Sequence, residues 1–206
     1  MTILERVYAT KGQPAWEIAH LFPAQGEWSV ADYLALDTNH LVEFSDGYIE
    51  VLPLPSPAHQ RIVLFLYRIL WAFVTEHQLG EALTAPLPVE LWSKKFREPD
   101  IIFIAKEKLA HQSTKYWRNV DLVIEVVSPD KPARDYQDKR AEYAQAGIPE
   151  YWIVDPQQRV VVVLVLHEGD YQTHGEFKTG TQATSVLLNG FALPVAEVFA
   201  AGQSPY

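Results

Sequence analysis

The sequence predicts a mixed α/β (α+β) fold, a mixed central β-sheet flanked by helices with an added β-hairpin. Three observations predict it. Ile101 to Ile104 and Asp121 to Val127 are short, apolar runs of the kind buried on both faces of a sheet. Helical periodicity from Ser56 to Gly80, and again from about Ala133 to Ala146, interleaves with these strands. The valine-rich run Val160 to Leu166 and the run Tyr171 to Phe177 flank Gly169-Asp170, which is hairpin chemistry. The order of helix, hairpin, helix, strands, helix, strand and hairpin suits a layered sheet-and-helix domain.

The first helix starts near Trp28, where Ser29 caps it and Asp32 completes a capping box. Leu41 to Phe44 and Tyr48 to Leu52 read as a hairpin around Ser45-Asp46-Gly47. After the proline-rich loop Pro53 to Pro57, Ser56-Pro57 starts the longest helix, with Ile62, Leu66, Ile69, Leu70 and Phe73 on one face. Leu83 to Ala85 and Leu87 to Trp92 read as short strands, and Ser93 to Glu98 as a charged loop. Gly147-Ile148-Pro149 ends the later helix, Tyr151 to Val154 returns as a strand, and Pro194 to Ala200 forms a last short helix.

Residues 1–206 are expected to form a single domain with its core over about 28–200. A chain of this length buries roughly 70% of its unfolded surface, so it needs no covalent staples. It has no cysteine, which excludes thiol chemistry and thiolate metal sites and fits a cytoplasmic location. No apolar run approaches a membrane span, and Met1 to Ala9 lacks a signal-peptide core, so no membrane partner is expected. The net charge is −9, yet 11 of the 17 basic residues fall between Lys94 and Arg140, beside only 8 acidic ones. That asymmetry is compatible with a phosphate-facing surface, and equally with a mixed surface of no special role.

Two acids sit where acids are expensive. Asp100 precedes the strand Ile101 to Ile104, and Glu125 lies among the β-branched residues of Leu122 to Val127. A carboxylate there loses hydration and must be paired, protonated or bound to a cation. On neighbouring strands the two could share one hard divalent ion; the plainer reading is that Glu125 makes a buried ion pair and Asp100 merely ends a loop after Pro99. Tyr136, Lys139 and Tyr143 form one helical stripe that would turn Lys139 toward the sheet. A lysine beside the ion would orient the attacking water and neutralise charge developing on phosphoryl oxygen. Asp135, four residues earlier, offers Lys139 a competing surface pair.

Pro99-Asp100, Asp121-Leu122-Val123-Ile124-Glu125-Val126-Val127-Ser128-Pro129, Asp138-Lys139-Arg140-Ala141-Glu142-Tyr143 and Gly147-Ile148-Pro149-Glu150-Tyr151-Trp152-Ile153-Val154-Asp155 together resemble the Uma-two family of restriction-endonuclease-like proteins. Asp46-Gly47-Tyr48-Ile49-Glu50 and His59 are similar to its N-terminal pattern, so the likeness covers roughly Leu34 to Phe199. The resemblance implies a PD-(D/E)XK nuclease core that hydrolyses phosphodiester bonds of nucleic acid, with DNA the expected partner and Mg2+ (or Mn2+) the cofactor. It makes Asp100 and Glu125 metal ligands and the Val126 carbonyl a third. Val127 stands where the family's superfamily carries its lysine, and Lys139 is the expected replacement.

Glu50, at the end of the hairpin strand, and His59, in the first turn of the long helix, are further catalytic candidates; a capping or core role is the other reading of His59. Lys94, Lys95 and Arg97 in the charged loop are candidate nucleic-acid contacts. No P-loop, dinucleotide fingerprint, nucleophile elbow or zinc spacing is present. The alternative function is a catalytically silent nuclease-fold module that binds nucleic acid or protein. The hairpin from Val160 to Phe177 could supply a homodimer contact, against the plainer reading of core burial.

Overall fold

The computed structural model describes residues 22–36 and 40–203. Met1 to Ala9, read from sequence as lacking a signal core, lies outside the described residues. The first helix, α1 (Val30–Leu34), carries the expected capping box: the Ser29 hydroxyl accepts from Asp32 N at 3.1 Å, and the Asp32 carboxylate accepts from Ser29 N at 3.0 Å. The strands β1 (Val42–Ser45) and β2 (Tyr48–Val51) form the expected hairpin. Its two-residue turn needs left-handed backbone at Asp46 (φ 47°) and Gly47 (φ 90°). Gly47 is further required because a Cβ there would stand 2.5 Å from the Gly26 carbonyl oxygen.

The long helix α2 (Pro57–Glu76) begins where Ser56-Pro57 indicates, with the Ser56 hydroxyl accepting from His59 N. Its buried stripe of Ile62, Leu66, Leu70 and Val74 follows the 3.6-residue period. Next come β3 (Gly80–Thr84), β4 (Val89–Trp92), β5 (Lys95–Arg97), β6 (Ile101–Ala105), a 3₁₀ turn (Lys106–His111), β7 (Trp117–Arg118) and β8 (Leu122–Val126). A π-helical turn (Arg134–Lys139) leads without a break into α3 (Arg140–Gln145). The strands β9 (Glu150–Asp155), β10 (Val160–His167), β11 (Asp170–Lys178), β12 (Gln182–Thr184) and β13 (Ala192–Pro194) precede α4 (Val195–Ala201).

The larger sheet runs β11-β10-β9-β8-β6-β3, with β8 and β9 parallel and the other neighbours antiparallel. The crossover between the two parallel strands is the π-turn and α3, the usual solution for such a pair. On one face Ile101, Phe103, Leu122, Ile124 and Val126 meet α2 and α4; on the other Ile102, Val123, Val127 and Ile153 meet Tyr143 of α3. β6 and β8 are apolar on both faces because both faces are covered. Glu125 shares the α3 face with Val123 and Val127, two residues to either side. Val160 to Val163 are buried in these cores, so most of β10 serves packing, and β11 is the outer strand.

The smaller sheet, β2-β1-β5-β4-β7, corrects one expectation and the crossover helix another. The charged loop expected at Ser93 to Glu98 is a tight turn followed by β5, which sits between β1 and β4. Phe96 points into a cluster with Phe44 and Tyr33, while Lys95 and Arg97 point the other way into carboxylates. This is ordinary period-two alternation with ionic partners on one face. The helix expected over Ala133 to Ala146 opens instead with a π-turn, which changes the phase of every side chain before Arg140.

Glu150, fully buried, accepts from Trp152 Nε1 (2.7 Å), Ser185 Oγ (2.7 Å), Val186 N (2.8 Å) and Leu187 N (2.8 Å). It thereby ties β9 to the segment that leads to β13. Glu150→Ala strands four donors and is expected to cost about 3 kcal/mol, read as a lower denaturant midpoint at unchanged slope.

Candidate active site

The N-terminal end of β6 and the C-terminal end of β8 lie side by side, because Ile101 pairs with Ile124. This register brings Asp100 next to Val126. Val126 N donates to Asp100 Oδ2 at 2.8 Å, and Asp100 N points to Glu125 Oε2 at 3.5 Å. The first turn of α2 enters from the other side of the sheet. There His59 Nε2 stands 3.2 Å from Asp100 Oδ2 and 3.1 Å from the Val126 carbonyl oxygen. Among the described residues, His59 Nδ1 is buried without a hydrogen-bond partner. Although burial opposes charge on His59, Asp100 and the Val126 carbonyl shift its pKa upward.

Lys139 reaches the same point from the π-turn. Its Nζ lies 2.9 Å from Glu125 Oε2 and 3.0 Å from Asp135 Oδ1, and only 8% of its side chain is exposed. The two sequence readings of Lys139, an inward cation and a partner of Asp135, are both realised, and the pair with Asp135 is buried rather than on the surface. Burial resists the ammonium, but Glu125, Asp135, Glu43 and Asp100 together raise its pKa, so Lys139 stays charged. Tyr143 OH donates to Glu125 Oε1 at 2.5 Å, so both carboxylate oxygens are fixed. Burial pushes the Glu125 carboxyl up to about 7 against the pull of Lys139, with Asp100 and Asp135 adding to the push. Tyr151 OH donates to the Asp135 carbonyl, which holds the π-turn over the sheet.

A second ionic layer surrounds this centre. Glu43, from β1, is buried and paired with both Arg97 and Arg134. Glu142 accepts from Lys95 at 2.6 Å and from Arg97 at 2.6 and 2.8 Å, a two-pronged guanidinium contact. Burial alone would raise Glu43, but Lys139, Arg97 and Arg134 hold its carboxyl below the usual range. Glu142 is held low in the same way by Arg97 and Lys95.

The sequence candidates therefore divide. Asp100, Glu125, Val126, Lys139 and His59 come together at one strand end. Glu50 does not join them: its half-exposed carboxylate pairs with Arg134 (2.7 Å) and Lys131 (3.5 Å) on the rim. Lys95 and Arg97 are not the exposed phosphate contacts expected of them, since both are buried and committed to carboxylates; Lys94 alone of the three is exposed. Tyr143, Glu43 and Glu142 are not site candidates in the sequence, and Asp135 appears there only as a surface partner of Lys139. The stripe that placed Lys139 also contained Tyr143, so the signal for that residue was present.

The donors suit a small divalent cation. Two carboxylates and a backbone carbonyl are hard oxygen ligands, and the hydrogen bonds to Asp100 fall on Oδ2, leaving Oδ1 free among the described residues. No group of three or more His, Asp or Glu side chains among the described residues forms a metal cluster, so water would complete the shell of such an ion. The orphaned Nδ1 of His59 marks a polar spot that the described residues do not satisfy.

The match with known proteins follows this geometry. A family model, Uma2, described as "Putative restriction endonuclease", matches residues 30–196. The chain belongs to the Uma2 family. No curated protein matches it. A solved structure from Anabaena variabilis ATCC 29413, described as "a putative nuclease belonging to DUF820", superposes with a TM-score of 0.70 at 18% identity. The alignment covers 85% of this chain and 99% of that one, and it shows a shared fold. In this Uma2 chain Val127 is a buried core residue, and the lysine at the centre comes from the π-turn.

The folded-state pKa of Glu125, about 7, lies above its ordinary 4.5. Its contribution to stability is therefore present in full below the ordinary value and lost as pH rises through the folded one. In metal-free protein, Glu125→Gln should become steadily more stable relative to wild type across that window. Denaturant unfolding at pH values spanning it measures the gap; a gap that stays constant contradicts the assignment.

Proposed function

We propose that this Uma2 protein is a metal-dependent endonuclease that hydrolyses phosphodiester bonds of nucleic acid, DNA in particular. The observation that carries this reading is the convergence of Asp100, Glu125 and Lys139 at one strand end, with Lys139 Nζ 2.9 Å from Glu125 Oε2. Asp100, Glu125 and the Val126 carbonyl would hold one Mg2+ or Mn2+. Such an ion, when bound, supplies positive charge to the scissile phosphate and makes a water more acidic.

The protein's own groups supply the rest. Lys139, kept charged by its carboxylate neighbours, directs its protons at the attacking water and offsets charge on the phosphoryl oxygens. Asp135 and Tyr143 are positioning residues: the first sets Lys139, the second sets Glu125. His59, hydrogen-bonded to Asp100, is placed to take up or hold a proton at Nε2. Glu50 acts only through Arg134. The absence of cysteine supports a cytoplasmic setting, and no helix among the described residues is long and apolar enough to cross a membrane. A homodimer would be built on the hairpin of β10 and β11, whose second strand is the outer strand of the larger sheet among the described residues.

One observation favours a second reading, a silent module that binds without cutting: Lys139 and His59 already satisfy Glu125 and Asp100 without any metal. Cleavage of single- and double-stranded DNA with Mg2+ or Mn2+ separates the two. Wild type should cut, and Asp100→Ala, Glu125→Ala and Lys139→Ala should each lower kcat by about a hundredfold or more. Glu50→Gln should stay near wild type. Lack of cutting by wild type on any substrate selects the silent module; cutting that survives loss of both acids removes the proposed centre.

A further inference from the structure

With Lys95 and Arg97 withdrawn into ion pairs, the exposed basic surface lies elsewhere. Residues 106–118 carry Lys106, Lys108, Lys115, Arg118 and His111 against the single acid Glu107, on a chain whose net charge is −9. The segment wraps the opposite end of the larger sheet from Asp100, between β6 and β8. With Asn119 and the end of α3 it lines a cavity of about 330 Å³.

The walls of this cavity are built. Gln112 Oε1 accepts from Arg118 N at 2.9 Å, while Gln112 Nε2 donates to the Lys108 carbonyl at 3.1 Å. This side chain locks the 3₁₀ turn to β7. Lys108 Nζ is anchored by Asp121 Oδ1 at 2.6 Å and by the Asn119 carbonyl at 3.1 Å. Asn119 itself takes left-handed backbone, φ 56°, to turn the chain into β8. Among the described residues, neither the Arg118 guanidinium nor the His111 imidazole has a hydrogen bond or ion pair, and no carboxylate lines the cavity. Fixed walls and the two side chains whose donors are uncommitted, Arg118 and His111, suit an anion, and Lys108 adds the part of its charge that Asp121 leaves. The carbonyl end of α3 works weakly against one, so the side chains must supply the attraction.

We propose that the Lys108–His111–Arg118 cavity binds a phosphate group of the nucleic-acid backbone and holds the substrate at a distance from the candidate active site. The inference rests on the nuclease reading for its partner. The cavity lies on the same face of the sheet as Glu125, because α3 follows directly on Lys139 at one end and leads into Ala146 and Gly147 of the cavity wall at the other. Asp121, which anchors Lys108, is four residues from Glu125 on β8, about 13 Å along a strand. One turn of duplex, about 34 Å, spans that separation comfortably. Arginine gives two-pronged phosphate recognition and lysine a point charge, so the pair suits a backbone contact without base selectivity.

Binding is measured without cutting, by fluorescence anisotropy of a fluorescein-labelled DNA duplex in EDTA. Arg118→Gln combined with His111→Gln should weaken binding about tenfold and flatten the dependence on salt by about one counterion, for all sequences alike. Arg118→Lys should retain most of the affinity. Asp100→Ala, tested beside them, should bind the duplex while failing to cut it. Unchanged affinity in the double variant overturns the proposal. So does thermal stabilisation of wild type, but not of the double variant, by inorganic phosphate with equal DNA affinity in both; the cavity would then take a free anion only. Wild type that binds no duplex overturns it as well, and the separate cleavage assay decides whether the nuclease reading falls with it.

Discussion

A lysine ammonium placed under a helix and against a sheet, out of water, survives as a charge only if carboxylates surround it. Lys139 is in that position, between Glu125 on β8 and Asp135 one turn back on its own helix. Each of the three groups would be costly alone. Removing Lys139 leaves two buried acids that must take up protons, and removing either acid leaves the ammonium with half its compensation. The geometry of the whole strand end follows from this one ion cluster. Glu125 cannot swing away, Asp100 is drawn to the adjacent backbone, and the π-turn is retained because it delivers Asp135 and Lys139 to the same place.

The cluster is itself held by the ionic seam between the two sheets. Glu43 and Glu142 receive Lys95 and Arg97 from β5 and Arg134 from the π-turn, so the smaller sheet and the crossover are joined by charge as well as by the apolar cluster that Val89 shares with Tyr143 and Ala144. Such a seam is a poor source of net stability, since desolvation cancels most of the attraction. Its value lies in direction: guanidinium and carboxylate meet in few geometries, whereas leucines would accept many. An interface that must place a lysine to within a fraction of an ångström benefits from that selectivity.

Much of this was legible in the residues. The apolar strands, the capped helices, the Asp46-Gly47 hairpin and the positions of Asp100 and Glu125 depend on local pattern, and local pattern is what a sequence displays. The inward direction of Lys139 could be read because tyrosines flank it at helical spacing. The fate of Lys95 and Arg97 could not, because a run of charges looks the same whether it faces solvent or facing carboxylates. The partners of Arg97, Glu43 and Glu142, lie 54 and 45 residues away. The π-turn was hidden for a related reason: no residue type encodes it, and it exists to satisfy contacts with a strand elsewhere in the chain. The Gly-Ile-Pro-Glu-Tyr-Trp signature proved informative about family and yet its acid, Glu150, is used to join strand and loop.

The ion pairs of the seam close long stretches of chain: Arg134 meets Glu50 and Glu43 across 84 and 91 residues. Closing such loops is entropically expensive and is rewarded only after both ends are structured. Asp100 and Glu125, by contrast, meet through two neighbouring strands 25 residues apart. Glu125 and Lys139 stand nearer still in the chain, and Lys139 and Asp135 are one turn apart, so the three groups can meet before the smaller sheet docks. Chains caught before that docking would carry the cluster without the seam that covers it. The seam, closed last, would then be what takes the ion cluster out of water.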